Sequence, residues 1–117
     1  MTIDRIDTNK RLSAAVSCGN FVFLSGQVPT TLDGDFVTQA REVLQKIDHL
    51  LDEAGSDKAH ILSAQIWIKN IAKDFGAFNE VWEAWLPENC APARAAVEAN
   101  MARPNVLVEV AAIAVKR

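Results

Sequence analysis

Two charged side chains interrupt stretches of the sequence that are otherwise apolar. Arg94 lies within residues 90–98, and Glu109 lies within residues 106–111. A charge in a buried strand costs free energy unless it is paired or binds a ligand. Arg94 is therefore a salt-bridge partner, a solvated edge residue, or a guanidinium fork that holds a carboxylate. Glu109 either pairs with a basic residue such as Arg94, or acts as a general acid–base or water-orienting group.

Two further positions have both a structural and a functional interpretation. Ser25 and Gly26 follow an apolar run, where glycine permits either a tight turn or a close approach of the backbone to a ligand. Asn79 lies within a predicted helix, although asparagine is a poor residue for a helix interior. It is either exposed to solvent or holds a neighbouring loop.

Cysteine and histidine are too few and too scattered to indicate a metal site. Cys18 and Cys90 form no CxxC pair, and His49 and His60 form no HxxH or HExxH pattern. We expect two separate thiols in a reducing compartment. The sequence therefore predicts neither a bound metal nor another cofactor.

Length and charge limit the class of protein. The chain has 117 residues, which predicts one domain over residues 1–117, because domains cluster at roughly 100–150 residues. Its net charge is −3 and it has no cluster of basic residues, so we expect no nucleic-acid partner. The first residues are charged, and no run reaches the ~18 apolar residues of a membrane helix. We therefore expect a soluble, cytoplasmic protein with no membrane partner.

These residues must be positioned by strands and helices whose pattern is clear. Residues 14–18 and 21–25 predict a hairpin around Gly19-Asn20, with a possible short strand near residue 3. A helix capped by Asp33 or Asp35 follows and ends before Gly55. Residues 62–69 alternate as a strand, with Leu62 on its buried face.

The second half of the chain repeats the pattern of strands and helix. Asp74 is predicted to cap a helix that ends at Pro87, with a set of aromatic side chains in the core: Phe75, Phe78, Trp82 and Trp85. Strands are predicted at about residues 93–98 and at 106–115. The order predicts an α+β fold, in which a mixed sheet carries two helices on one face. Because several strands are apolar on both sides, the other face should be buried by self-association.

Five short segments, taken together, are similar to a known family. Residues 23–29 (FLSGQVP) resemble its hydrophobic-SGQ-hydrophobic-P motif, and residues 50–56 (LLDEAGS) resemble its helix end. Residues 74–82 (DFGAFNEVW) resemble its second helix. Residues 92–98 (PARAAVE) and 108–110 (VEV) resemble its PAR-x-x-VE and VE-hydrophobic motifs. From about residue 11 to the end, in matching order, the chain resembles the Rid (YjgF-type) enamine/imine deaminases.

The resemblance implies a chorismate-mutase-like fold of the bacillus type and a homotrimer. In that trimer the sheets form a central barrel with three clefts between subunits. It also implies hydrolysis of enamines and imines such as 2-aminoacrylate to 2-keto acids and ammonia, without cofactor or metal. By position, Arg94 would hold the substrate carboxylate and Glu109 would orient water or transfer a proton. Ser25, Gly26 and Asn79 would line the cleft.

Two positions depart from the family pattern. The family cysteine after the PAR motif is absent, and Ala96 stands near that place. The second departure concerns a tyrosine. Many active members have a tyrosine before the first hairpin, where this chain has Leu12 and no tyrosine anywhere. Leu12 would therefore contact the substrate without a hydroxyl group. The sequence leaves two functions open: a deaminase of reactive enamines and imines, or a protein that binds small carboxylates such as 2-keto acids without turnover.

Overall fold

Six strands form one mixed sheet in the computed structural model, which describes residues 2–117. The strands are β1 (Ile3–Thr8), β2 (Ser13–Cys18), β3 (Phe21–Gln27), β4 (Ile61–Ile68), β5 (Ala93–Glu98) and β6 (Val108–Val115). Their order across the sheet is β1-β2-β3-β6-β4-β5. Only β4 and β5 are parallel; the other neighbours are antiparallel. The hairpin around Gly19 and the leading strand are both confirmed.

Helix α1 (Phe36–Glu53) forms because one of its faces is apolar at helical spacing. Asp35 is its N-cap and accepts a hydrogen bond from the Thr38 amide at 2.9 Å, as one of the two predicted caps. Gly55 follows the helix with φ of 82°, the left-handed conformation predicted for it. The buried side chains of α1 are Phe36, Gln39, Ala40, Val43, Leu44, Ile47, Leu50 and Leu51.

Helix α2 (Ile71–Trp85) begins one turn earlier than the sequence predicts. Asn70, not Asp74, is the N-cap, and its side chain accepts a hydrogen bond from the Lys73 amide at 3.2 Å. Residues 71–73 carry none of the aromatic side chains whose spacing predicts the helix. The sequence pattern therefore does not predict this first turn. Asp74 is buried within the first turn.

Two predictions about the strands are wrong in detail. Leu62 is exposed because the register of β4 against β6 shifts between Ile61 and Ser63, which buries Ile61 instead. The last strand begins at Val108 rather than at residue 106. Its predicted start is held by the buried side chain of Gln39, which donates to the Asn105 carbonyl at 2.9 Å and accepts from the Leu107 amide at 2.8 Å.

The two faces of the sheet differ in what covers them. Both helices pack on one face, where alternate residues of β6 such as Val108, Val110 and Ala112 join their apolar side chains in a single core. The α+β prediction of a mixed sheet with two helices on one face is confirmed. Four large apolar side chains on the other face are 38–49% exposed: Phe21, Phe23, Val97 and Ile113. We call this set the bare face; its burial in a trimeric barrel stays a prediction.

Candidate active site

Arg94 is positioned by the edge strand β5 and by helix α2. It lies beside Ala64 in the parallel β4–β5 pair, and Ala64 is buried under the helices, so Arg94 projects toward α2. Its Nη2 atom donates a hydrogen bond of 2.6 Å to Oδ1 of Asn79. The structure therefore brings together two of the predicted site residues, Arg94 and Asn79.

Two aromatic rings flank the Arg94 guanidinium group. Its Cζ atom lies 5.7 Å from the ring centroid of Phe75 and 5.7 Å from that of Trp82. Cation–π attraction at this distance restrains the group without neutralising its charge. Trp82 is only 5% exposed, as expected of a core residue, whereas Phe75 is 38% exposed. The prediction that Phe75 is a core residue is wrong.

The side-chain partners of Arg94 bear on the salt-bridge interpretation that the sequence left open. Within residues 2–117 the ion pairs join His49 to Glu53, His60 to Asp57 and Arg117 to Asp52, and none involves Arg94. Asn79 is neutral and occupies one of five guanidinium N–H groups. Arg94 therefore takes part in no ion pair in the described part of the chain, and its role as a carboxylate anchor stays a prediction.

Glu109 lies in the middle of the sheet and on its other face. Its neighbours Val108 and Val110 are fully buried under the helices, so Glu109 points toward the bare face, beside Trp67 of β4. Burial raises the pKa of the Glu109 carboxyl above its ordinary value. Among residues 2–117 no hydrogen bond or ion pair to this carboxyl is found. A carboxyl in this state holds a proton at higher pH than an ordinary glutamate, which suits a proton carrier.

Because Gly26 has no side chain, it leaves room for the Glu109 carboxyl group. Strand β3 bulges here, because Leu24 pairs with Ala112 and Gln27 with Val110, so β3 has one residue more than β6 over this interval. A Cβ atom on Gly26 would lie 2.9 Å from the Cδ atom of Glu109. The close approach predicted for Gly26 is therefore to a catalytic candidate of the same chain.

Ser25 and Leu12 lie near the same end of β3 but make different contacts. The Ser25 hydroxyl donates to the carbonyl of Ala14 at 3.2 Å, which ties the bulge to β2. Leu12 lies in the loop between β1 and β2, where its side chain is 52% exposed and its amide donates to Asn9. An apolar side chain this exposed, at the tip of a loop, is available to contact another molecule.

The candidate residues thus form two groups. We call Arg94, Asn79, Phe75 and Trp82 the Arg94 half, and Glu109, Gly26 and Ser25 the Glu109 half. The two halves lie on opposite faces of the sheet, and β4 separates their strands. Phe75 was not predicted as a site residue, although its spacing of four from Asn79 places the two on one helix face.

Side-chain clusters suited to a metal ion and helices suited to crossing a membrane are both absent from the described residues. Within residues 2–117 no group of three or more His, Cys, Asp or Glu side chains could hold a metal ion. None of the helices in that range is long and apolar enough to cross a membrane.

The chain is similar to known proteins over nearly its whole length. The family model described as Endoribonuclease L-PSP matches residues 2–116. A RutC family protein from Haemophilus influenzae is 41% identical over 115 residues, covering 97% of this chain and 98% of that protein. The RutC family protein YoaB from Escherichia coli is 39% identical over 114 residues, covering 97% and 98%. A YjgF family member from Neisseria meningitidis has a similar crystal structure, with a TM-score of 0.94 and 44% identity over 100% of this chain and 97% of that chain.

Proposed function

Because this chain belongs to the family of the Endoribonuclease L-PSP model, which includes the YjgF and RutC proteins, we propose that it hydrolyses reactive enamines and imines to 2-keto acids and ammonia. The observation that carries the proposal is the charge of Arg94, which has a neutral hydrogen-bond partner and flanking rings but no ion pair among residues 2–117. A substrate carboxylate supplies the missing negative charge.

The separation of the two halves supports a site between subunits. One chain alone presents Arg94 and Glu109 on opposite faces of its sheet, so no substrate can contact both. A second copy packed against the bare face brings its own Arg94 half toward the Glu109 half of the first. Burying Phe21, Phe23, Val97 and Ile113 favours this association, which in a closed homotrimer repeats three times.

The chemistry needs only positioning and proton transfer. Protonation of an enamine at its terminal carbon gives the iminium ion, and water adds to the iminium carbon while the Glu109 carboxylate accepts a proton from it. The Glu109 carboxyl then donates this proton to the amine nitrogen. The C–N bond breaks as the remaining hydroxyl group loses its proton and forms the C=O bond of the 2-keto acid, and ammonia leaves. The raised pKa of Glu109 keeps a proton available for this step. Ser25 and Leu12 of the same subunit line the cleft.

The family description also names ribonuclease activity, which the charge of this chain does not favour. The net charge is −3, and the sequence has no cluster of lysine and arginine residues. Binding to a phosphate backbone usually rests on a basic surface. A single anchor such as Arg94 suits a small carboxylate better than a polyanion.

Mixing two inactive variants tests the proposal. Arg94→Ala and Glu109→Gln, each assayed by ammonia release from enzymatically generated imines, should each lose most of the activity. Co-expressed in equal amounts, they should recover about one quarter of wild-type activity, since random assortment gives that share of clefts both intact halves. Each variant alone is the control. No recovery in a mixed oligomer would contradict a site shared between subunits.

A second function, carboxylate binding without turnover, is favoured by the missing hydroxyl at Leu12. Calorimetric titration with pyruvate separates the two. Binding that depends on Arg94, together with no acceleration of imine hydrolysis by the wild-type protein, would establish the binding function and contradict the deaminase.

A further inference from the structure

A cavity of about 310 Å³ lies directly beside the Arg94 guanidinium group. Arg94 and Asn79 line one part of it, at the point where a carboxylate would bind. The cavity continues away from them, between the end of α2 and the loop that leads into β5. A ligand held by Arg94 therefore extends into this space.

The walls beyond Arg94 are largely apolar. Trp82 and Leu86 come from the end of α2, and Ala91 and Pro92 come from the following loop. None of these four side chains offers a carboxylate or an amide to a polar substituent. Such a surface gains free energy by covering a hydrocarbon side chain.

The cavity is too large for the smallest substrates of this reaction class. A volume of 310 Å³ equals that of about ten water molecules at roughly 30 Å³ each. The imine of leucine carries a longer hydrocarbon side chain than the imine of alanine, so it leaves less of this space unfilled. Unfilled apolar space loses the dispersion contacts that a larger side chain would make.

One acidic side chain lines the same cavity. Glu83, on α2, places a carboxylate there. A second carboxylate on the substrate side chain would meet this like charge. The cavity therefore disfavours imines derived from aspartate or glutamate.

We propose that this cavity receives the substrate side chain and selects imines of branched aliphatic amino acids over small and dicarboxylic ones. This selectivity rests on the proposed function, because it assumes a substrate carboxylate on Arg94. Ala91 and Glu83 are its specificity-determining residues: Ala91 leaves the space open, and Glu83 excludes a second negative charge.

Calorimetric titration of the whole protein with three 2-keto acids tests the proposal without requiring turnover. The probes are pyruvate, 4-methyl-2-oxopentanoate and 2-oxoglutarate. Wild type should bind 4-methyl-2-oxopentanoate about tenfold more tightly than pyruvate, the discrimination typical of extra methylenes in an apolar pocket. Ala91→Phe fills the cavity from an exposed loop position and should abolish this preference while pyruvate binding changes little. Ala102→Phe, exposed and outside the cavity, is the matched control.

A second variant tests the charge argument independently of cavity size. Glu83→Gln should strengthen 2-oxoglutarate binding several-fold, and by clearly more than it strengthens the binding of the two monocarboxylate probes. Glu80→Gln, which lines a different groove, is the control. Equal affinity of wild type for pyruvate and 4-methyl-2-oxopentanoate, or an equal effect of Ala91→Phe on both, would overturn the proposal. Absence of imine hydrolysis with this ranking intact would instead contradict only the proposed reaction.

Discussion

The Arg94 half and the Glu109 half of the candidate site differ in how the fold treats a charged side chain. Arg94 lies on an edge strand, exposed, with a neutral hydrogen-bond partner and two rings that restrain it. Glu109 lies on a central strand, half-buried, and its pKa is raised because burial disfavours the charged form. The Arg94 half holds a permanent positive charge in place, whereas the Glu109 half disfavours the charged form of its carboxyl group. The difference suggests that the first binds and the second transfers protons.

The largest effect should come from the half that binds. Arg94→Ala removes a fork that makes two charge-assisted hydrogen bonds, each worth about 1.5–3 kcal/mol, so kcat/KM should fall about a thousandfold. Arg94→Lys keeps the charge without the planar fork and should restore only part of this loss. Because Arg94 is exposed, the unfolding temperature should change little. Steady-state imine hydrolysis measures the loss, with Arg103→Ala as control; a wild-type rate for Arg94→Ala would refute the anchor.

Glu109→Gln should lower kcat about a hundredfold, since general acid–base groups contribute at least that much. The same substitution should raise the stability of the protein although it lowers the activity. The raised pKa of Glu109 means that stability present below the unfolded-state pKa is lost as pH rises through the folded-state pKa. Glutamine lacks this loss, so at pH 7 the variant should be at least as stable as wild type.

Denaturant unfolding of both proteins at pH 4 and pH 7 measures this difference. The stability gap between Glu109→Gln and wild type should be larger at pH 7, whereas Glu80→Gln on the surface of α2 should show no such gap. A variant that is less stable than wild type at pH 7 would mean that Glu109 has a stabilising partner, and the contrast between the halves would fail.

Gly26→Ala should displace Glu109 without removing it. The added Cβ would lie within 2.9 Å of the Glu109 Cδ atom, and the glutamate side chain can rotate away. The unfolding temperature should therefore change little, while kcat should fall about thirtyfold, because misplacing a reacting group by about 1 Å can cost up to a hundredfold. Gly76→Ala in α2 is the matched control, since its Cβ would meet nothing within 4 Å. A large loss of stability with wild-type kcat would contradict the assignment.

The strands and helices could be predicted from the sequence more completely than the contacts between them. Local signals located Asp35, Gly55 and the Gly19 turn, because caps and left-handed glycines act within a few residues. The start of β6 was misplaced because it depends on Gln39, a side chain distant along the chain. Likewise, residue type and motif identified Arg94 and Asn79, but only the packing of α2 on β5 shows that they bond to each other. Spacing alone could not reveal that Phe75 is exposed beside Arg94.

The variant with the smallest expected effect, at Asn79, is also the most direct test of why the hydrogen-bond partner of Arg94 is neutral. Asn79→Ala removes one hydrogen bond, worth about 1 kcal/mol, while the rings of Phe75 and Trp82 still restrain the guanidinium group. KM should therefore rise about fivefold, with kcat nearly unchanged, because the carboxylate contact is made in both ground and transition states.

Asn79→Asp is nearly the same size and can still accept the hydrogen bond, so a purely structural role would tolerate it. A carboxylate at residue 79, however, would pair with Arg94 and compete with the carboxylate of the substrate. We expect Asn79→Asp to raise KM about twice as much as Asn79→Ala, and high salt to reduce the difference because it screens the new pair. Asn100→Ala, outside this cavity, is the control. If Asn79→Asp binds pyruvate as tightly as wild type, the open charge on Arg94 is not what holds the ligand.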